Sequence, residues 1–376
     1  MKKPAVKNHM HDILLVAVFL VGIATVGGCL LLAPDKVFSD AERRYLTERP
    51  ELSDEALTDW QFDDRVEEYL ADKMPLRNFF VGVNALFVRL TGRQVSTDIY
   101  QDDEGYLVEA PITWEEAETE RRLGKIAALG EKTGLTPTVM AVPSTGYIRG
   151  THLPEVLARL YPDAAALEEI AARQGIKNVP LSDAFFAADE QIYYRTDHHW
   201  NEAGAYLAYT CWCGETGREC LPLDAYLTHR VDGFTGSTVS RSALWLTKAE
   251  TLLLYEPDCR VSVTFSDGEG SHDSVLFLAH IGEYDWYPAF LDGNHPLTVI
   301  ENLDATTDEV LVMVKDSFGN TLAPFLVPSF QTIVMVDPRY YRGAVSDVCT
   351  EYGATELLFC YSLERIVNDT NLLLLK

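Results

Sequence analysis

The chain has 376 residues, enough for one large domain or two ordinary ones with a full apolar core. Hydrophobic residues make up 47% and charged residues 23%, the balance of a globular protein. The formal net charge of −26 excludes the basic surface that nucleic-acid phosphates require and otherwise serves solubility.

In chain order, Lys2, Lys3 and Lys7 precede an uncharged run over residues 13–33. A helix over that run would be roughly 32 Å long, against a bilayer hydrocarbon core of about 30 Å. The basic flank favours an N-terminus in the cytoplasm. The expected layout is a cytoplasmic tail at 1–12, an uncleaved transmembrane signal anchor at 13–33, a polar stalk at 34–59 and an extracytoplasmic domain at 60–376 held at the cell membrane. A cleaved signal peptide is the rival, but its apolar region is usually only about 7–15 residues. Val26-Gly27-Gly28-Cys29 faintly resembles a lipoprotein cleavage site, yet the apolar residues continue past Cys29.

Past the stalk, Phe62, Val66, Tyr69 and Leu70 recur at helical spacing. Pro75 interrupts before a second helical run through Phe79, Phe80, Val83, Leu86 and Phe87. Residues 96–109, with Asp103-Glu104-Gly105 as the turn, read as a hairpin. Helix and strand then alternate. An amphipathic helix over 114–132 is closed by Gly134, and a strand over 138–142 ends at Pro143-Ser144-Thr145. A helix follows over 163–175, then a strand at 179–181 and a helix from 201 to about 212. Residues 221–304 have short Thr/Ser/Tyr-rich runs between Gly and Asp, and predict a mostly β insertion. The alternation resumes with strand 310–314, helix 321–327, strand 332–336, helix 344–351 and strand 357–361. Such a rhythm implies a parallel sheet covered on both faces, with its crevice at the carboxyl ends of the strands. Ser144, Ser317 and Asp337 fall at three of those ends.

Two stretches carry the chemistry. Tyr193-Tyr194-Arg195-Thr196-Asp197-His198-His199-Trp200 puts a carboxylate two positions before an imidazole, and Asn201 opens the next helix. In an extended segment Asp197 and His199 share a side and His198 points the other way. A carboxylate so placed orients an imidazole and stabilises its protonated form. The plainer reading is a polar turn before a helix. The other stretch is Lys315-Asp316-Ser317-Phe318-Gly319-Asn320, a turn between a buried strand and a helix. Backbone amides at that helix start would face an attacking oxyanion, although a serine there is also a good N-cap. A serine with a distant Asp/His pair is the parts list of an activated nucleophile. Ser144 is a rival nucleophile that lacks the strand–turn–glycine–helix context. A metal on Asp197, His198 and His199 fits less well, because adjacent histidines diverge and no fourth ligand is evident.

With Cys29 in the apolar run, Cys211, Cys213, Cys220, Cys259, Cys349 and Cys360 remain. Export permits disulfides, and Cys220 with Cys211 or Cys213 would close a short loop. Zinc on Cys211, Cys213 and Cys220 matches no standard spacing.

The Tyr-Arg-Thr-Asp-His-His-Trp string at 194–200 resembles the signature of the DHHW family of exported bacterial proteins. It is similar also to the Asp-Thr-His-Trp stretch of the SGNH-hydrolase-like alginate O-acetyltransferases. Residues 69–77, 98–107, 287–296 and 315–320 resemble further family blocks. The resemblance implies an SGNH-hydrolase-like α/β/α sandwich, with Ser317 as nucleophile, His199 as general base and Asp197 as its orienter. It leaves open whether Gly319 with Asn320, or Gly293 with Asn294, completes the oxyanion hole. His198 stands where the alginate enzymes have threonine, so their substrate geometry is not carried over. The function so expected is a membrane-anchored O-acyltransferase or esterase, most simply for O-acetyl groups, acting on a cell-surface polysaccharide without a cofactor or metal. A membrane protein supplying the acyl group is an optional partner. Trp200 and Tyr194, among 6 Trp and 18 Tyr, are expected as sugar-facing aromatics beside the site. The contrasting expectation is a non-catalytic glycan-binding or envelope-assembly protein on the same fold.

Overall fold

The computed structural model describes residues 10–376 apart from 55, 57 and 93–97. The chain divides into two compact units, residues 1–93 with 243–245, and residues 94–242 with 246–376.

In the first unit, α1 (Met10–Leu32) is apolar throughout after Asp12, with a mean hydropathy of 2.7 over its most apolar window and no part of it buried. It is long and apolar enough to cross a membrane. Two shorter helices follow, α2 (Phe62–Asp72) and α3 (Arg77–Leu90). They part at Pro75 and Leu76, where Leu76 takes a positive φ of 57°. The polar segment expected as a stalk is tied to them. Asp72 accepts from Arg44 Nη1 at 3.0 Å and from the Thr47 N–H at 2.9 Å, and Glu42 pairs with Arg77.

The second unit opens with a hairpin, β1 (Ile99–Gln101) and β2 (Leu107–Glu109); the expected start of that hairpin at Ser96 lies outside the described residues. Besides several short helical turns, its helices include α4 (Glu116–Thr133), α5 (Ala164–Arg173), α6 (Glu202–Thr216), α7 (Phe318–Leu326), α8 (Val345–Tyr352) and α9 (Leu363–Asn368). Its remaining strands are β3 (Pro137–Val142), β4 (Lys177–Asn178), β5 (Tyr226–Phe234), β6 (Glu250–Pro257), β7 (Val261–Phe265), β8 (Leu297–Asn302), β9 (Val310–Lys315), β10 (Thr332–Val336) and β11 (Glu356–Ser362). Seven of them form one sheet in the order β4-β3-β11-β9-β10-β8-β7. The first five run parallel, and β8 and β7 are antiparallel additions.

Side-chain alternation builds a core on each face of the sheet. Leu311 and Met313 of β9 join one core, with α6, α7 and the hairpin β5–β6; Val312 and Val314 join the other, with α4, α5, α8 and α9. The result is a three-layer α/β/α sandwich. The regular elements of residues 221–304 are mainly the strands β5 to β8, set among long loops, and the longest helix there, Ser237–Ser242, has only 6 residues. The last two strands of this segment, β7 and β8, extend the sheet, while β5 and β6 pair as a separate hairpin. Val261, Val263 and Phe265 are buried in alternation, the pattern of an edge strand covered on one face. Cys213 pairs with Cys220, Cα atoms 5.8 Å apart, and Cys211 stays free. That pairing removes two of the three thiolates a zinc site there would have needed.

Candidate active site

Strand β9 is buried at every position, so the chain leaves it at a fixed place, the carboxyl edge of the sheet. Asp316 then locks the turn. Its Oδ1 accepts from the Phe318 N–H at 3.0 Å, and its Oδ2 accepts from the Ser362 N–H and hydroxyl at 2.8 and 2.9 Å. Asp316 therefore caps α7, and the Ser317 hydroxyl makes no capping bond. That hydroxyl lies 2.6 Å from Nε2 of His199 instead.

The Asp/His stretch is a tight loop, not the extended segment its spacing suggests. Tyr193 bridges Trp200, and the Tyr194 N–H donates to the His199 carbonyl at 3.3 Å, so residues 195–198 fold back. Asp197 sits inside the loop. Its Oδ1 accepts from the His199 N–H at 3.0 Å and bonds Nδ1 of the ring at 2.6 Å. Its Oδ2 accepts from the Ser237 N–H and hydroxyl at 2.6 and 2.8 Å. A carboxylate on Nδ1 fixes the proton there and leaves the Nε2 lone pair facing the serine. His198 does not point away: its ring centroid lies 3.8 Å from that of His199, tilted by 37°, and its Nδ1 lies 3.4 Å from Asp197 Oδ1. The fold-back of the loop, absent from an extended reading, puts it there.

Electrostatics suit these positions. Burial opposes the charge on Asp197, but His198, His199 and the hydrogen bonds from His199 outweigh it and hold the carboxyl well below the usual range. His199 is pulled below the ordinary imidazole value by burial first and by His198 second, against the opposing pull of Asp197. Neutral imidazole is thus the resting form at neutral pH.

Residues outside the sequence motif hold the pair in place. Gly236 passes so close to Asp197 that a Cβ there would collide with the Asp197 side chain. Glu250 accepts from the N–H groups of Arg195 and Thr196, both at 2.9 Å, and so closes the loop. Tyr287 stacks on the His199 ring at 3.9 Å, and its hydroxyl donates to the Ser317 carbonyl at 3.1 Å. Gly236, Ser237 and Glu250 lie in the β-rich segment and carry no local signal of a role. Tyr287 falls in a block noted from the sequence but not singled out.

The amides after Ser317 are committed elsewhere. Phe318 donates to Asp316, Gly319 to the Asp316 carbonyl and Asn320 to the Ser317 carbonyl. Gly319 serves packing instead, because a Cβ there would stand 2.8 Å from Cβ of Lys315. Asn320 is fully buried, and its amide donates to the Gly293 carbonyl at 2.8 Å. Asn294 differs. Its Oδ1 accepts from Lys315 Nζ at 3.0 Å and from Asn320 Nδ2 at 3.3 Å, which turns its NH2 outward. Asn294 lines the same cleft as Ser317, and among the described residues the Ser317 N–H has no protein acceptor.

The cleft has a volume of about 650 Å³ and runs past His198, Tyr161, Glu109 and Arg339. Trp200 and Tyr194, expected beside it as sugar-facing aromatics, are 0% and 1% exposed. They are framework: Trp200 packs edge-on to Phe318, and Tyr194 packs on Phe234 while its hydroxyl donates to Glu202. Ser144 also lines the cleft, but its hydroxyl caps a short helix through the Tyr147 N–H at 3.2 Å. Asp197, His198 and His199 bring donor atoms within 4.8 Å of one another. Both oxygens of Asp197 and both nitrogens of His199 are already engaged, so a metal there would have to displace the bonds that join His199 to Asp197 and Ser317.

The α/β/α sandwich with a mostly parallel sheet and the site at its carboxyl edge is an SGNH-hydrolase-like fold, and residues 100–221 match the family model of the SGNH hydrolase-like domain, acetyltransferase AlgX. Residues 184–336 match the family model described as DHHW protein, so the resemblance read from the Asp-His-His-Trp string holds. Among solved structures, a DHHW family protein from Eubacterium siraeum is 23% identical with a TM-score of 0.62, over 73% of this chain and 96% of that one. Bacillus cereus PatB1 is 20% identical with a TM-score of 0.59, over 73% of this chain and 98% of that one, and has also been solved with a sulfonyl adduct. No curated protein matches the chain significantly.

Proposed function

We propose that this chain is a membrane-anchored, extracytoplasmic serine O-acyltransferase or esterase acting on O-acetyl esters of a cell-surface polysaccharide. The observation that carries the reading is the unbroken relay from Asp197 through His199 to Ser317, with 2.6 Å at each imidazole nitrogen. No structural duty competes for the serine hydroxyl, since Asp316 does the capping. The acetyltransferase description of the family matching residues 100–221 supports the acyl group. The apolar helix α1 supports anchoring.

In this reading Ser317 Oγ attacks the carbonyl carbon of the donor ester while its proton passes to Nε2 of His199. Asp197 stabilises the imidazolium that forms and keeps its ring in place. The oxyanion is met by the Ser317 N–H and the amide of Asn294, whose other atom is held by Lys315 and Asn320. The C–O bond to the donor alcohol then breaks, and His199 returns the proton to that alcohol. A sugar hydroxyl, or water in an esterase, attacks the acyl-serine in the mirror-image step and releases the product ester or acetate. No cofactor enters the sequence.

The test is turnover of an acetyl ester by the full-length protein in detergent or nanodiscs, with and without an oligosaccharide acceptor. Acetate release or acetyl transfer that vanishes in Ser317→Ala supports the reading. Saccharide binding with no turnover by the unsubstituted protein would move it to the glycan-binding alternative.

A further inference from the structure

Helix α3 is amphipathic in the reverse sense for a helix facing water. At 100° per residue, Phe79, Phe80, Val83, Leu86, Phe87 and Leu90 fall within one arc of about 120°. These six are between 39% and 77% exposed, and no charged residue shares the arc. The packed side lies away from that arc, where two small residues, Ala85 and Gly82, make the closest approach. Ala85 is 3% exposed, and a Cβ on Gly82 would stand 2.7 Å from the Trp245 ring. Trp245, which belongs to the same unit, donates its indole N–H to the Asn78 carbonyl at 3.0 Å. Small side chains thus face the protein while three phenylalanines and three aliphatic residues face out. A contiguous apolar patch of this kind marks a surface that meets something other than water.

The same unit indicates what covers it. Val26 and Leu30, near the end of α1, share a groove with Leu70 of α2, with Met74 just past it, and with Phe80 and Val81 of α3. The apolar surface is therefore continuous from a helix suited to the bilayer onto the helix pair. We propose that α3 is an interfacial helix, its phenylalanine face immersed among the acyl chains of the leaflet on its side of the membrane, beside the span. The inference rests on the reading of α1 as a membrane span. A Phe/Leu-rich face of low charge is the kind that sits at the boundary between head groups and acyl chains. The arrangement would hold the first unit against the membrane rather than on a free tether.

The test uses the full chain reconstituted in phosphatidylcholine–phosphatidylglycerol liposomes doped with a lipid bearing a diazirine on its acyl chain. After irradiation, digestion and mass spectrometry, adducts are expected on α1 and on the peptide carrying Phe79, Phe80 and Phe87. The double substitution Phe80→Asp with Phe87→Asp should lose the α3 adducts and keep those of α1. Adducts on α1 alone would overturn the inference, leave the span standing and assign the face to a protein partner. Adducts on neither helix would overturn the span together with the inference.

Discussion

Nε2 of His199 and Oγ of Ser317 lie 2.6 Å apart, although 118 residues separate them in sequence. Neither side chain reaches the other by a local preference. Ser317 is held by Asp316 and the end of β9, and His199 by Asp197 inside a loop closed by Glu250. Residues held independently and meeting with hydrogen-bond geometry are expected to act as one unit, and the predictions below follow from that.

Ser317→Ala and His199→Ala should each lower kcat/KM for an acetyl ester by on the order of 10³-fold or more. The double variant should be scarcely worse than either single one, because a relay broken once is already lost. Asp197→Asn should cost about 10²–10⁴-fold by favouring the wrong imidazole tautomer. Steady-state kinetics on the four variants checks this; multiplicative losses in the double variant would contradict it.

The rate should depend on pH with its acid limb displaced. His199 must be neutral to accept the serine proton, and burial and His198 hold its pKa below the ordinary value of about 6.5. A lowered pKa keeps the base neutral to more acid pH, so kcat/KM should begin to fall only below the usual histidine range. His198→Gln removes one of the two causes and should move the limb upward. A limb at or above pH 7 in the unsubstituted protein would contradict the assignment.

Asn294 and Lys315 give a third expectation. Asn294→Ala should lower kcat by about 10²–10³-fold with little change in KM, the mark of a contact made in the transition state. Lys315, buried beneath it, has its pKa pushed down to about 8 by burial. As pH rises through that value the positive charge beside the Asn294 carbonyl disappears, so an alkaline fall near pH 8 is expected. Lys315→Met should abolish that fall and lower kcat at pH 7. An alkaline limb unchanged in Lys315→Met would exclude the role.

A fourth concerns stability. Burial raises the pKa of Glu202, partner of Tyr194, to about 7. Between the unfolded value near 4.5 and 7 the folded state binds more protons than the unfolded one, so this group's contribution falls as pH rises through that window. Glu202→Gln should therefore raise stability by roughly 1–2 kcal/mol at pH 8 and change it little at pH 4. Thermal melts at both pH values decide it, and an equal effect at both would contradict the argument.

Much of this was legible in the sequence because it rested on local pattern. The buried run at 310–314, the strands near 138 and 357 and the helices between them fell where periodicity placed them, within a few residues at their ends. The serine and the Asp/His pair stood out through residue types and spacing. What escaped depended on distant pairing. Whether β7 and β8 join the sheet is decided by their partners β10 and β8, not by their own residues. Gly236 and Ser237 serve Asp197 from far along the chain, Ser237 from 40 positions away. The fold-back that brings His198 beside His199, and the burial of Trp200 and Tyr194, come from a bridge between Tyr193 and Trp200 that period-two reasoning does not see. The unit boundary near residue 93, past the expected 60, reflects how residues 34–59 tie onto the helices after them.

The central claim is that Ser317 is a nucleophile activated by His199, and covalent capture tests it most directly. The native protein treated with a sulfonyl fluoride, then digested and mapped by mass spectrometry, should carry one stoichiometric adduct on Ser317. The adduct should be absent from the heat-denatured protein and strongly reduced in His199→Ala. Capture at Ser144, or equal labelling of Ser317 with and without His199, would contradict the account.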